Sequence, residues 1–206
     1  MAYFPFFIDI EGQDGLIVGG GRIADQKVGK LRPFGARLTV IAPVIQKQLR
    51  EDQTLICLER EFTDSDLEGR DFVIAATDDR KLNAYISRIC REKGILVNAV
   101  DDRENCGFLF PALVKEGKLT VGVSTAGASP QIAATLRSRI EQELPDQIES
   151  VLDYLESIRE LAKSRIGDGE RRAVFLKETA VYCMEINRPL SMEETLERIE
   201  VYVDHP

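Results

Sequence analysis

The chain has 206 residues, of which 44% are hydrophobic and 30% charged, and its net charge is −8. This composition predicts a globular protein with a substantial core and excludes an intrinsically disordered chain. No apolar run approaches the roughly 18 residues needed to cross a bilayer, and the negative charge argues against nucleic acid and anionic lipid as partners. The apolar start lacks the basic region of a secretory signal, so we expect a cytoplasmic protein.

Five short β-branched runs alternate with amphipathic segments in the first half of the chain. The runs are residues 15–18, 38–41, 55–58, 72–76 and 95–100. Their nearly continuous apolar character predicts strands buried on both faces. Helical spacing at 23–32 and 80–93 predicts crossover helices, and right-handed connections then give a doubly wound parallel sheet.

The pattern changes after Pro111. Residues 112–114 and 119–123 flank a turn-like tetrapeptide, which predicts a β-hairpin. Ser129 and Pro130 then predict the N-cap and first residue of a helix that ends near residue 145. The rest of the chain has helical periodicity, with a capping-box pattern from Ser191 to Glu194.

We therefore expect three parts. These are a Rossmann-like dinucleotide-binding domain at 1–112, a small α+β dimerisation segment at 113–145, and a helical C-terminal domain at 146–206. A hairpin and one helix are too small to form a core alone, so the middle segment must pack on the first domain or on a second subunit. The second arrangement predicts a homodimer.

Cysteine and histidine usage narrows the chemistry. The four cysteines lie far apart without metal-ligand spacing, so we predict reduced, mostly buried thiols and no structural metal site. The single histidine, His205, lies next to the C-terminal residue. A Ser-His-Asp triad is therefore excluded unless the chain terminus supplies the base.

A glycine-rich turn follows the first predicted strand and begins the first helix. Gly19, Gly20 and Gly21 are followed by Arg22, Ile23 and Ala24, which fits the G-x-G-x-x-A dinucleotide fingerprint in its required context. The first glycine permits the tight turn, the third lets the backbone approach a pyrophosphate, and the alanine lets the helix pack closely. The alternative is a glycine-rich turn without a ligand.

The type of dinucleotide stays open on these residues. An acidic residue at the end of the second strand would bind the ribose 2′-hydroxyl of NAD, but Pro43 and its neighbours carry no such group. Arg22 is the nearest cation that could contact a 2′-phosphate.

Carboxylates follow two of the predicted strands. Asp101 comes at the carboxyl end of the fifth strand, where open α/β sheets bind ligands, and is the best candidate for a general base. Its alternative role is to cap or turn the end of the strand. For Asp78 and Asp79, after the fourth strand, we favour the N-cap of the next helix.

A small, hydroxyl-rich loop spans residues 124–130. Its N–H groups, which we expect to be free, would suit a carboxylate or phosphate, and the helix that follows carries Arg137 and Arg139. An ordinary capped helix start is the alternative interpretation.

Several motifs in order along residues 1–145 resemble the precorrin-2 dehydrogenase family, the dehydrogenase and ferrochelatase module of siroheme synthase. These are Phe-Pro-Phe-Phe near the N-terminus, Leu-Ile-Val-Gly-Gly-Gly at 16–21, Gly-Ala-Arg-Leu-Thr-Val at 35–40, Ala-Ala-Thr-Asp-Asp at 75–79, Asn-Ala-Val-Asp at 98–101, and residues 121–130. The combination is specific, whereas the glycine turn alone is not.

The resemblance implies NAD-dependent oxidation of precorrin-2 to sirohydrochlorin, a homodimer and, in some members, insertion of Fe²⁺ as a lyase. It places the family's catalytic aspartate on Asp101 and its serine-containing loop on Ser124 and Thr125. The expected cofactor-binding residues are Gly19, Gly20, Gly21, Arg22, Ile23, Ala24, Pro43, Thr77 and Asp78. The expected substrate-binding residues are Ser124, Thr125, Gly127 and Arg137, with Arg139 and Arg103 as further candidates for the substrate's carboxylates.

Two alternatives remain. A dehydrogenase whose chelatase is a separate protein would use the same residues. A dinucleotide-sensing regulatory module would use the glycine turn but would need no catalytic carboxylate at Asp101.

Overall fold

The computed structural model describes residues 4–100, 102 and 106–203. The chain forms two compact units, Ala2–Phe110 and Pro111–Pro206. Within the described residues, no helix has both the length and the apolar character to cross a membrane. The three-part division expected from the sequence remains a prediction.

The first unit is built on a five-stranded parallel sheet. Its strands are β1 (Asp14–Val18), β2 (Arg37–Ala42), β3 (Leu55–Glu59), β4 (Phe72–Ala75) and β5 (Leu96–Ala99). Their spatial order is β3-β2-β1-β4-β5, so the order reverses between β1 and β4. This order confirms the predicted doubly wound sheet, and the reversal marks the edge at which such sheets bind ligands.

Helices connect the strands on both faces. They are α1 (Arg22–Leu31), the single-turn α2 (Lys47–Arg50) and α3 (Arg80–Glu92), with 3₁₀ turns at Arg32–Phe34 and Asp64–Leu67. Leu16 and Ile17 of the central strand are fully buried, as are Ala24 of α1 and Ile86 of α3. The apolar faces of α1 and α3 therefore cover opposite sides of the sheet in two separate core clusters.

The prediction that all five strands are buried on both faces is wrong for β3. This strand lies at the edge of the sheet, and Ile56 is 60% exposed. The short α2 covers only the opposite face, through the buried Leu49. An apolar run indicates a strand, but it does not reveal that the strand is an edge with one open face.

The second unit begins with the predicted hairpin. Strands β6 (Ala112–Glu116) and β7 (Leu119–Val123) pair antiparallel. Gly117 in the turn has φ +51°, and a Cβ there would lie 2.4 Å from Glu149 Cγ. The Lys118 ammonium forms an ion pair with Asp153 at 2.7 Å, which anchors the turn to the helix carrying that residue.

Four helices complete this unit. They are α4 (Pro130–Glu143), α5 (Ile148–Arg165), α6 (Gly169–Glu185) and α7 (Met192–Glu200). Ile158 and Ile166 pack with Phe175 and Ile199 in one core cluster. Two sequence predictions are confirmed here: Ser129 caps α4 through Ile132 N, and Ser191 with Glu194 forms a capping box on α7.

All four cysteines are free thiols. Cys90 and Cys183 are buried, whereas Cys57 and Cys106 are half-buried. Burial raises the pKa of the Cys90 thiol to about 11, so this group stays protonated and unreactive at neutral pH.

Candidate functional site

The three glycines of the turn between β1 and α1 have different surroundings. Gly19 has φ +123°, and a Cβ there would lie 2.3 Å from the carbonyl oxygen of Ala76. A Cβ on Gly20 would lie 2.4 Å from the carbonyl oxygen of Val44, whereas one on Gly21 would meet nothing within 4 Å. The first two glycines are thus required by close backbone packing, and the third leaves open space in front of the helix.

Backbone hydrogen bonds fix the turn against both neighbouring strands. Gly19 N donates to Ile41 O at 2.8 Å, and Gln46 N donates to Gly20 O at 2.9 Å. Ala76 N donates to Val18 O at 2.8 Å on the other side. The segments that follow β1, β2 and β4 therefore meet at one edge of the sheet.

The N-terminus of α1 points its backbone donors into the open space beside Gly21. Gly21 is the N-cap, and no side chain caps the helix. The first N–H groups of a helix have no acceptor within it, and together with the helix dipole they favour an anion. Ala24 is fully buried, as the fingerprint requires. Donors and free space at Gly21 therefore fit the diphosphate of a dinucleotide.

The loop after β4 is held by a buried amide that the sequence analysis did not identify. Asn83 of α3 is 3% exposed; its Oδ1 accepts from Thr77 N at 3.1 Å, and its Nδ2 donates to Thr77 O at 2.9 Å. The Thr77 hydroxyl also donates to Asn83 Oδ1 at 2.8 Å. In the sequence, the role of Asn83 is indicated only by its position, as a polar residue on the apolar face of a predicted helix.

The two aspartates in this loop differ. Asp79 is the N-cap of α3 and accepts from Lys81 N and Leu82 N, which confirms the predicted cap. Asp78 is exposed, beside Thr77. Its assignment to the cofactor stays a prediction.

The corner after β2 is apolar. Pro43 is exposed, Val44 is 79% exposed, and Ile45 is buried beneath them. Gln46 ties this corner to Gly20, which brings Pro43 to the same edge as the glycine turn. The corner carries no charged side chain from residue 41 to 46, so it does not discriminate between NAD and NADP by charge.

Near the end of β5, two described side chains contact backbone carbonyl groups. Asp101, predicted as the catalytic base, and Arg103 lie outside the described residues, as does His205. Of the described neighbours, Asn98 Nδ2 donates to Phe108 O at 2.9 Å, and the Cys106 thiol lies 3.1 Å from Ala99 O and 3.1 Å from Asp102 O. Cys106 was identified in the sequence only as a thiol, and its bonding depends on the fold of the loop.

Three of the N–H groups predicted to be free in the loop at residues 124–130 are hydrogen-bonded within the loop. Ser124 Oγ accepts from Ala126 N at 3.1 Å, and Thr125 Oγ1 accepts from Ser129 N at 3.1 Å. Ala128 N donates to Thr125 O at 2.9 Å. Short hydroxyl side chains bond their own backbone, so these donors are already used. Gly127, with φ +76°, lies at the tip of this turn.

Arg137 and Arg139 lie on different sides of α4. Residues two apart on a helix do not share a face, and the role of both arginines toward the substrate stays a prediction. Arg137 is half-buried and forms an ion pair with Glu141 at 2.7 Å, whereas Arg139 is exposed. A ligand at Arg137 would compete with Glu141.

No group of three or more metal-ligating side chains was found among the described residues. The cofactor set from Gly19 to Ala24, with Pro43 and Thr77, shares one edge of the first unit. The substrate set of Ser124, Thr125, Gly127 and Arg137 belongs to the second unit.

Comparison with known proteins gives two family matches. A model described as putative NAD(P)-binding matches residues 6–112, and one described as sirohaem biosynthesis protein central matches residues 116–143. The siroheme synthase of Thioalkalivibrio sulfidiphilus is 40% identical over 178 residues, covering 85% of this chain and 36% of the relative. The siroheme synthase of Stutzerimonas stutzeri is 39% identical over 184 residues, covering 86% of this chain and 39% of the relative.

The fold is shared with a solved structure of SirC, a precorrin-2 dehydrogenase. The two have a TM-score of 0.74 at 24% sequence identity, and the match covers 97% of this chain and 100% of the other. The chain spans less than two fifths of the length of the siroheme synthases named above. The first family match covers more than half of the chain and contains the whole glycine-turn site. The chain therefore belongs to the putative NAD(P)-binding family.

Proposed function

We propose that this protein oxidises precorrin-2 to sirohydrochlorin with NAD as hydride acceptor. The observation that carries the dinucleotide part is the contrast within the glycine turn: Gly19 and Gly20 pack against backbone, whereas Gly21 faces open space. The similarity to siroheme synthases over 85% of the chain supports the tetrapyrrole part.

The residues of the first unit have separate roles in binding. The N–H groups at the start of α1 bind the diphosphate, and Gly21 lets it approach the backbone. Asn83 holds the loop containing Thr77 rigid at the same edge. NAD, when bound, supplies a hydride acceptor. Pro43 and Val44 provide an apolar surface at the corner after β2.

Asp101 is the proposed general base. Oxidation of the tetrapyrrole removes a hydride and a proton, and a carboxylate can accept the proton. A positioned base typically contributes about 10²–10⁴-fold to a rate. Support for this role comes from its place in the sequence, directly after the residues that follow β5 at the carboxyl edge of the sheet.

The second unit is proposed to bind substrate and to form a homodimer. Ser124, Thr125, Gly127 and Arg137 are the proposed contacts for the substrate's carboxylates. Arg137 can exchange its pairing with Glu141 for a substrate carboxylate because both are exposed enough to separate. The proposed location is the cytoplasm.

An anaerobic absorption spectrum tests the reaction. The protein is mixed with enzymatically generated precorrin-2 and NAD⁺, and Fe²⁺ or Co²⁺ is added afterwards. Sirohydrochlorin formed only with protein and NAD⁺ would support the dehydrogenase. Protein-dependent metal insertion would extend the proposal to chelation of Fe²⁺, and its absence would leave that step to another protein.

The variant Asp101→Ala distinguishes a dehydrogenase from a dinucleotide-sensing regulatory module. In a dehydrogenase this variant retains NAD binding and loses turnover. If the unmodified protein binds NAD(H) but does not oxidise precorrin-2, the regulatory module becomes the better explanation.

A further inference from the structure

Lys27 lies on α1 in an unusual environment. Its Nζ is 3.8 Å from the centroid of the Phe110 ring, and the side chain is half-buried. Within residues 4–100, 102 and 106–203, Lys27 has no carboxylate partner and no hydrogen-bond acceptor. Among the described residues, the charged or titratable groups that act on it are Lys30, whose Nζ is 6.0 Å from the same ring centroid, and the thiol of Cys106.

Burial of the Lys27 ammonium beside the ring is electrostatically unfavourable within the part of the chain that the structure describes. Burial, with a smaller contribution from Lys30, lowers the pKa of the Lys27 ammonium to about 8. The group still carries its charge at neutral pH, and the aromatic ring replaces only part of the lost hydration. An anionic group placed beside Lys27 would offset the cost of burying its charge.

The dinucleotide diphosphate is not the best candidate for that anion. Lys27 lies five residues after the start of α1, which is about 7.5 Å along the helix axis. The diphosphate binds in front of the first turn, at Gly21. The aromatic wall favours a ligand that combines an anion with a large apolar surface, and Phe108 extends this wall with its ring centroid 5.4 Å from that of Phe110.

We propose that Lys27 binds a carboxylate of the tetrapyrrole substrate, with Phe110 as the apolar wall beside it. This assignment rests on the proposed function, because precorrin-2 is a polycarboxylate with a large ring. It adds a substrate contact in the first unit, on the helix that also binds the dinucleotide. Lys27 is thus a binding residue and takes no part in proton transfer.

Steady-state kinetics test the contact. Lys27→Met keeps most of the apolar stem and removes the charge, so KM for precorrin-2 should rise about tenfold while kcat changes by less than about twofold. Lys27→Arg should restore most of the affinity. Lys93→Met is the matched control, because this exposed lysine lies in the same unit and the change in net charge is identical. The Kd of NADH should be the same in all three variants and the unmodified protein.

Chemical protection tests the contact without turnover. The protein is reductively methylated in the presence of an octacarboxylic porphyrin, a tetracationic porphyrin, or NADH alone. Mass spectrometry then measures the methylation of Lys27 and Lys93. Protection of Lys27 by the octacarboxylic porphyrin only would support the proposal. Protection by NADH alone would assign the anion to the cofactor and overturn it, as would equal protection by both porphyrins.

The outcomes separate this inference from the proposed function. If precorrin-2 is oxidised but Lys27→Met leaves its KM within twofold of the unmodified protein, the Lys27 contact is wrong and the dehydrogenase stands. If precorrin-2 is not oxidised but the octacarboxylic porphyrin selectively protects Lys27, the carboxylate site stands and the dehydrogenase assignment fails.

Discussion

Replacing Gly21 by alanine tests the dinucleotide site directly. The backbone at Gly21 has φ −93° and ψ −168°, extended values that alanine also adopts, and the added carbon meets nothing within 4 Å. The free energy of unfolding should therefore change by less than about 1 kcal/mol. The methyl group would occupy the space needed by the diphosphate. Loss of one charge-assisted hydrogen bond, about 1.5–3 kcal/mol, raises the Kd of NADH about 10- to 100-fold.

Gly20→Ala, unlike Gly21→Ala, should lower the free energy of unfolding. Its added carbon would lie 2.4 Å from Val44 O and 2.8 Å from Ile45 Cα, and both atoms belong to backbone that cannot move aside cheaply. Overpacking of this kind costs about 1–3 kcal/mol or more. For a chain of this size, each kcal/mol lowers Tm by about 2–4 °C.

The assays are thermal unfolding and titration of NADH fluorescence. Gly29→Ala is the control, because a Cβ at this α1 position also meets nothing within 4 Å. It should stabilise the helix by about 1 kcal/mol and leave the Kd of NADH unchanged. If Gly21→Ala binds NADH as tightly as the unmodified protein, the diphosphate does not lie at Gly21 and the reasoning fails.

Two further results are expected from other parts of the first unit. Asn83→Ala leaves the backbone groups of Thr77 without their partner and should cost about 1–3 kcal/mol in urea unfolding, and a loss below about 0.5 kcal/mol would contradict the role of Asn83. Arg60, with help from Thr63, lowers the pKa of Asp66 from 3.8 to about 2. The ionised Asp66 carboxylate therefore contributes fully to stability above pH 3.8, and this contribution falls as the pH drops toward 2. The stability difference between the unmodified protein and Asp66→Asn should shrink over that range, and a constant difference would show that the Arg60 contact is unimportant.

Much of the first unit can be predicted from the sequence because its signals are local. The apolar runs locate all five strands, and the spacing of Leu82, Ile86 and Cys90 locates α3. The exposure of Ile56 cannot be predicted in this way, because it depends on which strand forms the edge. Strand order is a property of the assembled sheet.

In the candidate site, too, the sequence predicts local features but not those that depend on the assembled fold. The spacing of the glycines predicts the turn, but the distinction between Gly20 and Gly21 depends on Val44, which is remote in sequence. Free N–H groups were expected after Ser124 because the residues are small and polar. The hydroxyl of Thr125 instead bonds within its own loop, which only the folded backbone reveals.

Because β3 is an edge strand with one open face, it should open locally more readily than the central strands. In the described sheet this strand pairs with β2 on one side, and it is joined to its neighbours by the single turn of α2 and the 3₁₀ turn at Asp64–Leu67. Few buried groups hold such a segment, so its amides should exchange with solvent well before those of the central β1. The segment between β2 and α2 carries Pro43 and bonds to Gly20. Dinucleotide binding should therefore slow exchange in β3, although none of the proposed cofactor-binding residues lies in that strand.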